Sequence, residues 1–274
     1  SRMDKEGANY ADVLKDAQAL GYAESDPAAD VEGSDAADKI AILSGLAFGG
    51  SINRSNIPTT GINHLEAVDV NYARKLGYGI KLLAISEKDK SPSKTEGSQP
   101  LSIWVEPTLV PEDNPLAGVN GVNNAILVEG NPIGQVMFFG PGAGSGPTAS
   151  AVVADILNIA GIQSMSEENI CNLDPLLSAK SWRNCHIAEK KQITKKNYIR
   201  LIAKDSPGVI GEIGTIFGKK KISIESIVQF DVTDEEAEIV VITHKIQQGQ
   251  LEEALLEIKS LSEVKRIAAT MGCL

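Results

Sequence analysis

The sequence predicts an α+β protein built on a mixed sheet, in two units joined by a polar connection. Strand-like apolar runs alternate with stretches whose apolar residues recur at helical spacing, without a regular βαβ repeat. The texture changes near residue 160, where a stretch rich in Asn, Glu and Lys begins, and again near 197. Its 274 residues suffice for two domains of ordinary size. The division is 1–160, a connection over 161–196, and a compact unit over 197–274.

In the first unit, Ser34 or Asp35 is placed to cap a helix that runs on through Ile42, Leu43 and Leu46. Ala67 to Leu76 reads as a second helix. Ile80–Ile85 and Leu101–Val105 are strand-like and flank the polar loop Ser86–Gln99, an exposed hairpin connection. Val119–Val128 and Gln135–Phe139 are further strands, and Ala149–Ile159 is a strongly apolar helix.

The last unit is the clearest. Tyr198–Ala203 is a strand, and Asp205-Ser206-Pro207-Gly208 is a turn in which Pro207 suits a first helical position. Val209, Ile213, Ile216 and Phe217 then share one face of a helix. Ile222–Phe230 and Ala237–Thr243 are strands around an acidic turn. Leu251, Ala254, Leu255 and Ile258 mark a second helix, and Val264–Thr270 a last strand. The order βαββαβ is ferredoxin-like.

Composition excludes several functions. A net charge of -10 with no basic stripe argues against nucleic acid and anionic membrane as partners. Three scattered cysteines without a C-x-x-C make neither a disulfide framework nor a zinc site, and the three histidines lie far apart. No run approaches the ~20 apolar residues of a membrane span, and no signal peptide is visible. A cytoplasmic location is the expectation.

The chemistry concentrates in Gly21–Lys39, an acidic segment that leads into the first helix. Asp35 and Lys39 are four apart and share a helical face. One reading is a surface pair that steadies the helix. The other starts from Ile42, Leu43 and Leu46, which lie on the Lys39 stripe and suggest that it faces a core. A lysine there lines a cleft, where a carboxylate one turn away tunes it for proton transfer.

The segment resembles the homoserine dehydrogenase signature: Ala17, Gly21, Tyr22, Ala23, Asp26-Pro27, Asp30, Val31, Gly33, Asp35 and Lys39 occupy its positions without departure. Ile80-Lys81-Leu82-Leu83-Ala84, Pro115-Leu116-Ala117 and Gly140-Pro141-Gly142-Ala143-Gly144 look like the same family. The last unit, with D-x-P-G at its first strand–helix junction, resembles an ACT domain. The resemblance implies NAD(P)-dependent interconversion of aspartate semialdehyde and homoserine, on the way to threonine, methionine and isoleucine. It implies that Glu24 holds the substrate amino group, Asp35 the reacting hydroxyl, and Lys39 the proton for the nascent alkoxide. Asp30 would orient the site.

The loop Gly140–Thr148 matches neither a P-loop nor a dinucleotide fingerprint, and by itself reads as a turn of close backbone approach. The resemblance puts Gly144, with Gly21, near the nicotinamide of NADP or NAD. It also implies that the nucleotide domain lies upstream of this sequence, which would then be inactive alone. Val152, Val153, Ile156 and Leu157 should in that case be exposed, or pack against another copy in a homodimer or larger assembly. An effector such as threonine would sit near Asp205, Gly208 and Val209. A plain dimerisation module without ligand, or a non-catalytic amino-acid-binding module, is the competing expectation.

Overall fold

The computed structural model describes residues 10–19, 28–89, 99–164, 183–233 and 236–274. The first unit runs α1 (Tyr10–Ala19), α2 (Ala28–Val31), α3 (Ser34–Phe48), β1 (Gly50–Ser51), α4 (Ala67–Lys75), β2 (Tyr78–Lys88) and β3 (Gln99–Pro111). It continues with β4 (Asn123–Gly130), β5 (Gly134–Pro141) and α5 (Ser145–Gln163). After β6 (Arg183–Ile187) come β7 (Thr194–Lys204), α6 (Val209–Lys219), β8 (Ile224–Thr233), β9 (Glu236–Thr243), β10 (Ile246–Gln247), α7 (Gln248–Lys259) and β11 (Val264–Cys273).

The βαββαβ order is present from β7 to β11, with the short β10 added beside β7. Its strands lie in the order β11-β7-β9-β8. Val209, Ile213, Ile216 and Phe217 are all buried, as helical spacing requires, and pack with Leu251, Ala254 and Ile258 of α7 onto Ile199, Leu201 and Val241. Residue 207 stays in a turn, however. The helix begins one residue beyond Gly208, whose φ of 98° makes it a left-handed cap that a bulkier residue would occupy under strain.

The two units share one sheet. Nine described strands join in the order β1-β6-β3-β11-β7-β9-β8, with β2 on the outer edge of β3. β2 and β3 form an antiparallel hairpin from Tyr78↔Pro111 to Lys88↔Leu101; the tip of the polar loop read from the sequence, 90–98, lies outside the described residues. The other edge of β3 is filled in succession. β6 pairs with it at Gln99–Leu101, Thr59 bridges Val105, and β11 pairs in parallel at Thr108 and Leu109. The 161–196 connection therefore contributes a strand, and β7 starts within it at Thr194.

Leu101, Ile103, Val105 and Leu109 have the same parity on β3 and so share one face. α3 covers the first three through Ala37, together with Ile57. α4 covers Leu109 and reaches across the seam: Tyr72 and Ala73 pack on Tyr198, Val240, Ile242 and Met271. Tyr72 also stacks on Phe230, with ring centroids 4.1 Å apart. One face of the second unit's sheet is thus covered by its own helices and the other by a helix of the first unit.

β4 and β5 form a separate antiparallel pair, and no residue of α5 is buried. The helix starts at Ser145, four residues before the expected Ala149, because Gly144 and the proline at 147 suit a first turn. Val152, Val153, Ile156 and Leu157 are exposed, as are Phe138 and Phe139 of the hairpin.

Candidate active site

The sequence segment 31–39 is built onto β3 by backbone. Residues 57–62 run beside the strand, with Val105 N–H donating to Pro58 and Thr60 N–H to Val105. Ile62 N–H then donates to Val31 at 2.8 Å. Gly61 lies so close that a Cβ there would sit 2.1 Å from the Val31 oxygen. Gly33, at φ 83°, turns the chain into α3 and is the cap residue, where Ser34 or Asp35 was expected. A Cβ at Gly33 would be 3.2 Å from Thr59 and 3.3 Å from Val105, so sterics outweigh the usual preference for a hydroxyl or carboxylate cap.

On α3, Ala37, Ile40, Ala41 and Phe48 face the core. The opposite stripe holds Asp35, Lys39, Ile42 and Leu46. Lys39 Nζ donates to Asp35 Oδ2 at 2.6 Å. Their side chains are 61% and 46% exposed, and Ile42 is 65% exposed. The expectation that this stripe faces a core is therefore corrected: the apolar residues beside Lys39 point away from the sheet. An exposed i,i+4 pair contributes at most ~0.5 kcal/mol to stability. Arg54 Nε, on a short turn after β1, donates to Asp38 at 2.8 Å and borders the same helix.

Asp30 falls in α2, one turn before the pair, and nothing is described of its side chain. Glu24 and Gly21 lie outside the described residues. Gly144 stands at the N-terminus of α5 with φ 124°, on the exposed hairpin and helix arm. Among the described residues no group of His, Cys, Asp and Glu could hold a metal ion, and no helix is long and apolar enough to cross a membrane.

A cleft lies at the far end of β7. Lys204 to Gly211, with Gln229 and Ile239, line a cleft of about 460 Å3. Asp205, Gly208 and Val209 are all in its wall. Gln229 Nε2 donates to Asp205 at 3.0 Å, fixing the carboxylate at the rim, while Val209 is buried below.

Two buried ion clusters were not foreseen. Arg200, 1% exposed, donates through Nε to Asp69 at 2.6 Å and through Nη2 to Glu66 at 2.7 Å. Its Nη1 reaches Glu238 at 3.1 Å, and the Tyr198 hydroxyl donates to Asp69 at 3.2 Å. Burial opposes the Arg200 charge, but the bonds from Asp69 and Glu66 outweigh it and hold the guanidinium more firmly protonated than usual. Burial, with Asp69 beside it, pushes the Tyr198 hydroxyl up. The Arg200 bond holds the Glu66 carboxyl below the usual range. A signal existed in the sequence: in Tyr198-Ile199-Arg200-Leu201 the charge sits on the inward parity of a strand with no polar face. On the opposite side of the sheet Lys195 bonds Glu106 across Gly272, and desolvation lowers the Lys195 pKa.

Residues 1–157 match the family model described as homoserine dehydrogenase, and residues 197–263 match the ACT domain. The chain is 50% identical to the homoserine dehydrogenase of Synechocystis sp., over 100% of this chain and 62% of the relative. It is 40% identical to that of Neisseria gonorrhoeae, over 97% of this chain and 59% of the relative. Among solved structures, the homoserine dehydrogenase of Thiobacillus denitrificans superposes with a TM-score of 0.88 at 36% identity, over 100% of this chain and 60% of that one. The Staphylococcus aureus enzyme gives a TM-score of 0.70 at 29% identity, over 100% of this chain and 61% of that one. The chain thus spans about three fifths of the length of the relatives it matches.

Proposed function

This chain belongs to the homoserine dehydrogenase family, and from that premise we propose that it carries the substrate-binding and proton-transfer side of that reaction, with an ACT regulatory unit attached. The observation that carries the reading is the Asp35–Lys39 pair, 2.6 Å apart on the outward face of α3. Bound NADPH or NADH would supply the hydride to the aldehyde carbon of aspartate semialdehyde, and NADP+ or NAD+ would accept it from homoserine in the reverse direction. As the carbon–hydrogen bond forms, negative charge develops on the carbonyl oxygen. Lys39 gives that oxygen a proton, leaving a neutral amine and the alcohol. In the reverse direction the neutral amine takes the hydroxyl proton. Asp35 orients Lys39 and holds the reacting hydroxyl before its proton passes to the amine. Glu24 pairs with the substrate ammonium, and Asp30 orients the set.

Gly144, with Gly21, would lie at the nicotinamide end of the cofactor. The exposed backbone of Gly144 at φ 124° is compatible with a close approach there. The rest of the cofactor's contacts fall to parts of the family beyond this span. An amino acid such as threonine would occupy the cleft at Asp205, Gly208 and Val209, where the Asp205 carboxylate is available to its ammonium. The exposed apolar arm of β4, β5 and α5 favours association into a homodimer or a larger assembly.

The test is homoserine-dependent reduction of NADP+ and NAD+ by the full-length protein, beside Lys39→Ala. Activity that collapses in the variant supports the reading. A full-length protein that binds amino acids but turns over neither cofactor would instead mark a non-catalytic regulatory module.

A further inference from the structure

We infer that Arg200, on the second unit, is a positioning residue for the Asp35–Lys39 pair on the first. This rests on the reading of that pair as the proton-transfer site. Four side chains converge on the guanidinium's surroundings: Asp69 and Glu66 from the start of α4, Glu238 from β9, and the Tyr198 hydroxyl bonded to Asp69. Asp69 Oδ2 also accepts the Glu66 N–H at 3.3 Å, so the carboxylate that Arg200 grips is part of the cap of α4. Both Arg200 and Asp69 are fully enclosed. A buried ion pair of this kind adds little net stability over an apolar replacement but admits only one geometry.

The cap is joined to the site by a short, bonded piece of chain. Leu65 N–H donates to Ile62, and Ile62 N–H to Val31, two residues before the Gly33 turn that aims α3. Gly61 is in backbone contact with Val31 and Glu32, so this piece cannot slide without moving the turn. From the guanidinium the path is Glu66 and Asp69, then residues 60–65, then Val31–Gly33, then Asp35 and Lys39. Hydrogen bonds tie Glu66 to Asp69, Leu65 to Ile62 and Ile62 to Val31, with the exposed residues Asn63 and His64 spanning the turn between them.

Tyr198→Phe removes the hydrogen bond to Asp69, Glu66→Gln removes the charge that Arg200 and Arg266 face, and both leave the Arg200–Asp69 pair in place. In the full-length protein, kcat for homoserine oxidation should fall about tenfold in each, with KM changed less, because small misplacement of reacting groups is costly. Amide hydrogen exchange at Ala37 and Ile62 should rise about tenfold while α6 and α7 are unaffected. Thr243→Val, which removes the hydroxyl accepting the Asn197 N–H elsewhere in the same sheet, should lower Tm without either effect. Exchange at Ala37 and Ile62 that stays at the parent value in both variants overturns the inference. So does faster exchange with an unchanged kcat. If the full-length parent has no dehydrogenase activity, the reading of the pair fails, and the exchange measurement alone then decides whether Arg200 governs this turn.

Discussion

Gly61→Ala strikes the contact on which the site is mounted. The new Cβ would lie 2.1 Å from the Val31 oxygen, 2.5 Å from Glu32 Cα and 2.9 Å from the Glu32 carbonyl carbon. All three are backbone atoms, so no rotamer change relieves the clash. The two segments must part by roughly 1 Å to restore van der Waals contact. The Ile62–Val31 hydrogen bond, worth about 1 kcal/mol, is lost in that movement, and overpacking adds about 1–3 kcal/mol. A destabilisation of about 2–4 kcal/mol corresponds to a Tm lower by about 5–15 °C in a protein of this size. Circular dichroism melts of Gly61→Ala and the parent measure it directly. Gly214→Ala is the control: it lies inside α6 with nothing within 4 Å of the added carbon, and should stabilise by about 0.5–1 kcal/mol. A Gly61→Ala protein that melts within about a degree of the parent, with the Ile62 amide still protected, would refute the claim that this contact fixes α3.

Lys39→Ala should leave stability within about 0.5 kcal/mol, since its ion pair is exposed, while lowering the turnover of the full-length enzyme by about 10²–10⁴-fold; equal loss of Tm and activity would mean a structural role. Burial pushes the Cys273 thiol up to about 11 from its ordinary 9. The unfolded thiol ionises first, so stability is intact below pH 9 and declines by about 2–3 kcal/mol as pH rises to about 11 and beyond. Cys273→Ala should flatten that decline in urea titrations at pH 8 to 11.5, leaving the part due to Tyr198 and Tyr78, whose hydroxyls burial also pushes up. Leu157, 66% exposed on α5, should act in self-association: sedimentation of the chain should show dimers or larger species that Leu157→Glu shifts towards monomer, and a clean monomer of the parent at high concentration would count against the apolar arm as an interface.

The second unit is legible because its pattern is local. Val209, Ile213, Ile216 and Phe217 read directly as a buried helical face. Asp35 and Lys39 are brought together by helical spacing alone. Ile42 and Leu46 mislead, because apolar residues mark a face that needs covering without saying what covers it. The union of the two units escapes the sequence for a different reason. It is made by two backbone pairs between β11 and β3, by Tyr72 and Ala73 packing on Tyr198, Val240 and Met271, and by side-chain pairs such as Arg200–Asp69, none of which leaves a periodic trace. β6 is equally faint, since Cys185 and Ile187 are its only apolar residues and its pairing is again through backbone. The cap at Gly33 yields to sterics with β3, a contact more than seventy positions away.

The β3–β11 pairing also sets an order of events during synthesis. Every other described strand of the sheet leaves the ribosome before β11, and the edge of β3 opposite β2 stays unpaired near Thr108 and Leu109 until residues 264–273 emerge. A nascent chain in that interval carries a half-covered strand edge, the kind of surface that recruits neighbouring chains into aggregates. The first unit can collapse early around α3 and the β2–β3 hairpin, but this edge stays open until the last strand is inserted between β3 and β7. Growth temperature and chaperone supply should therefore govern the yield of this protein more than its final stability does.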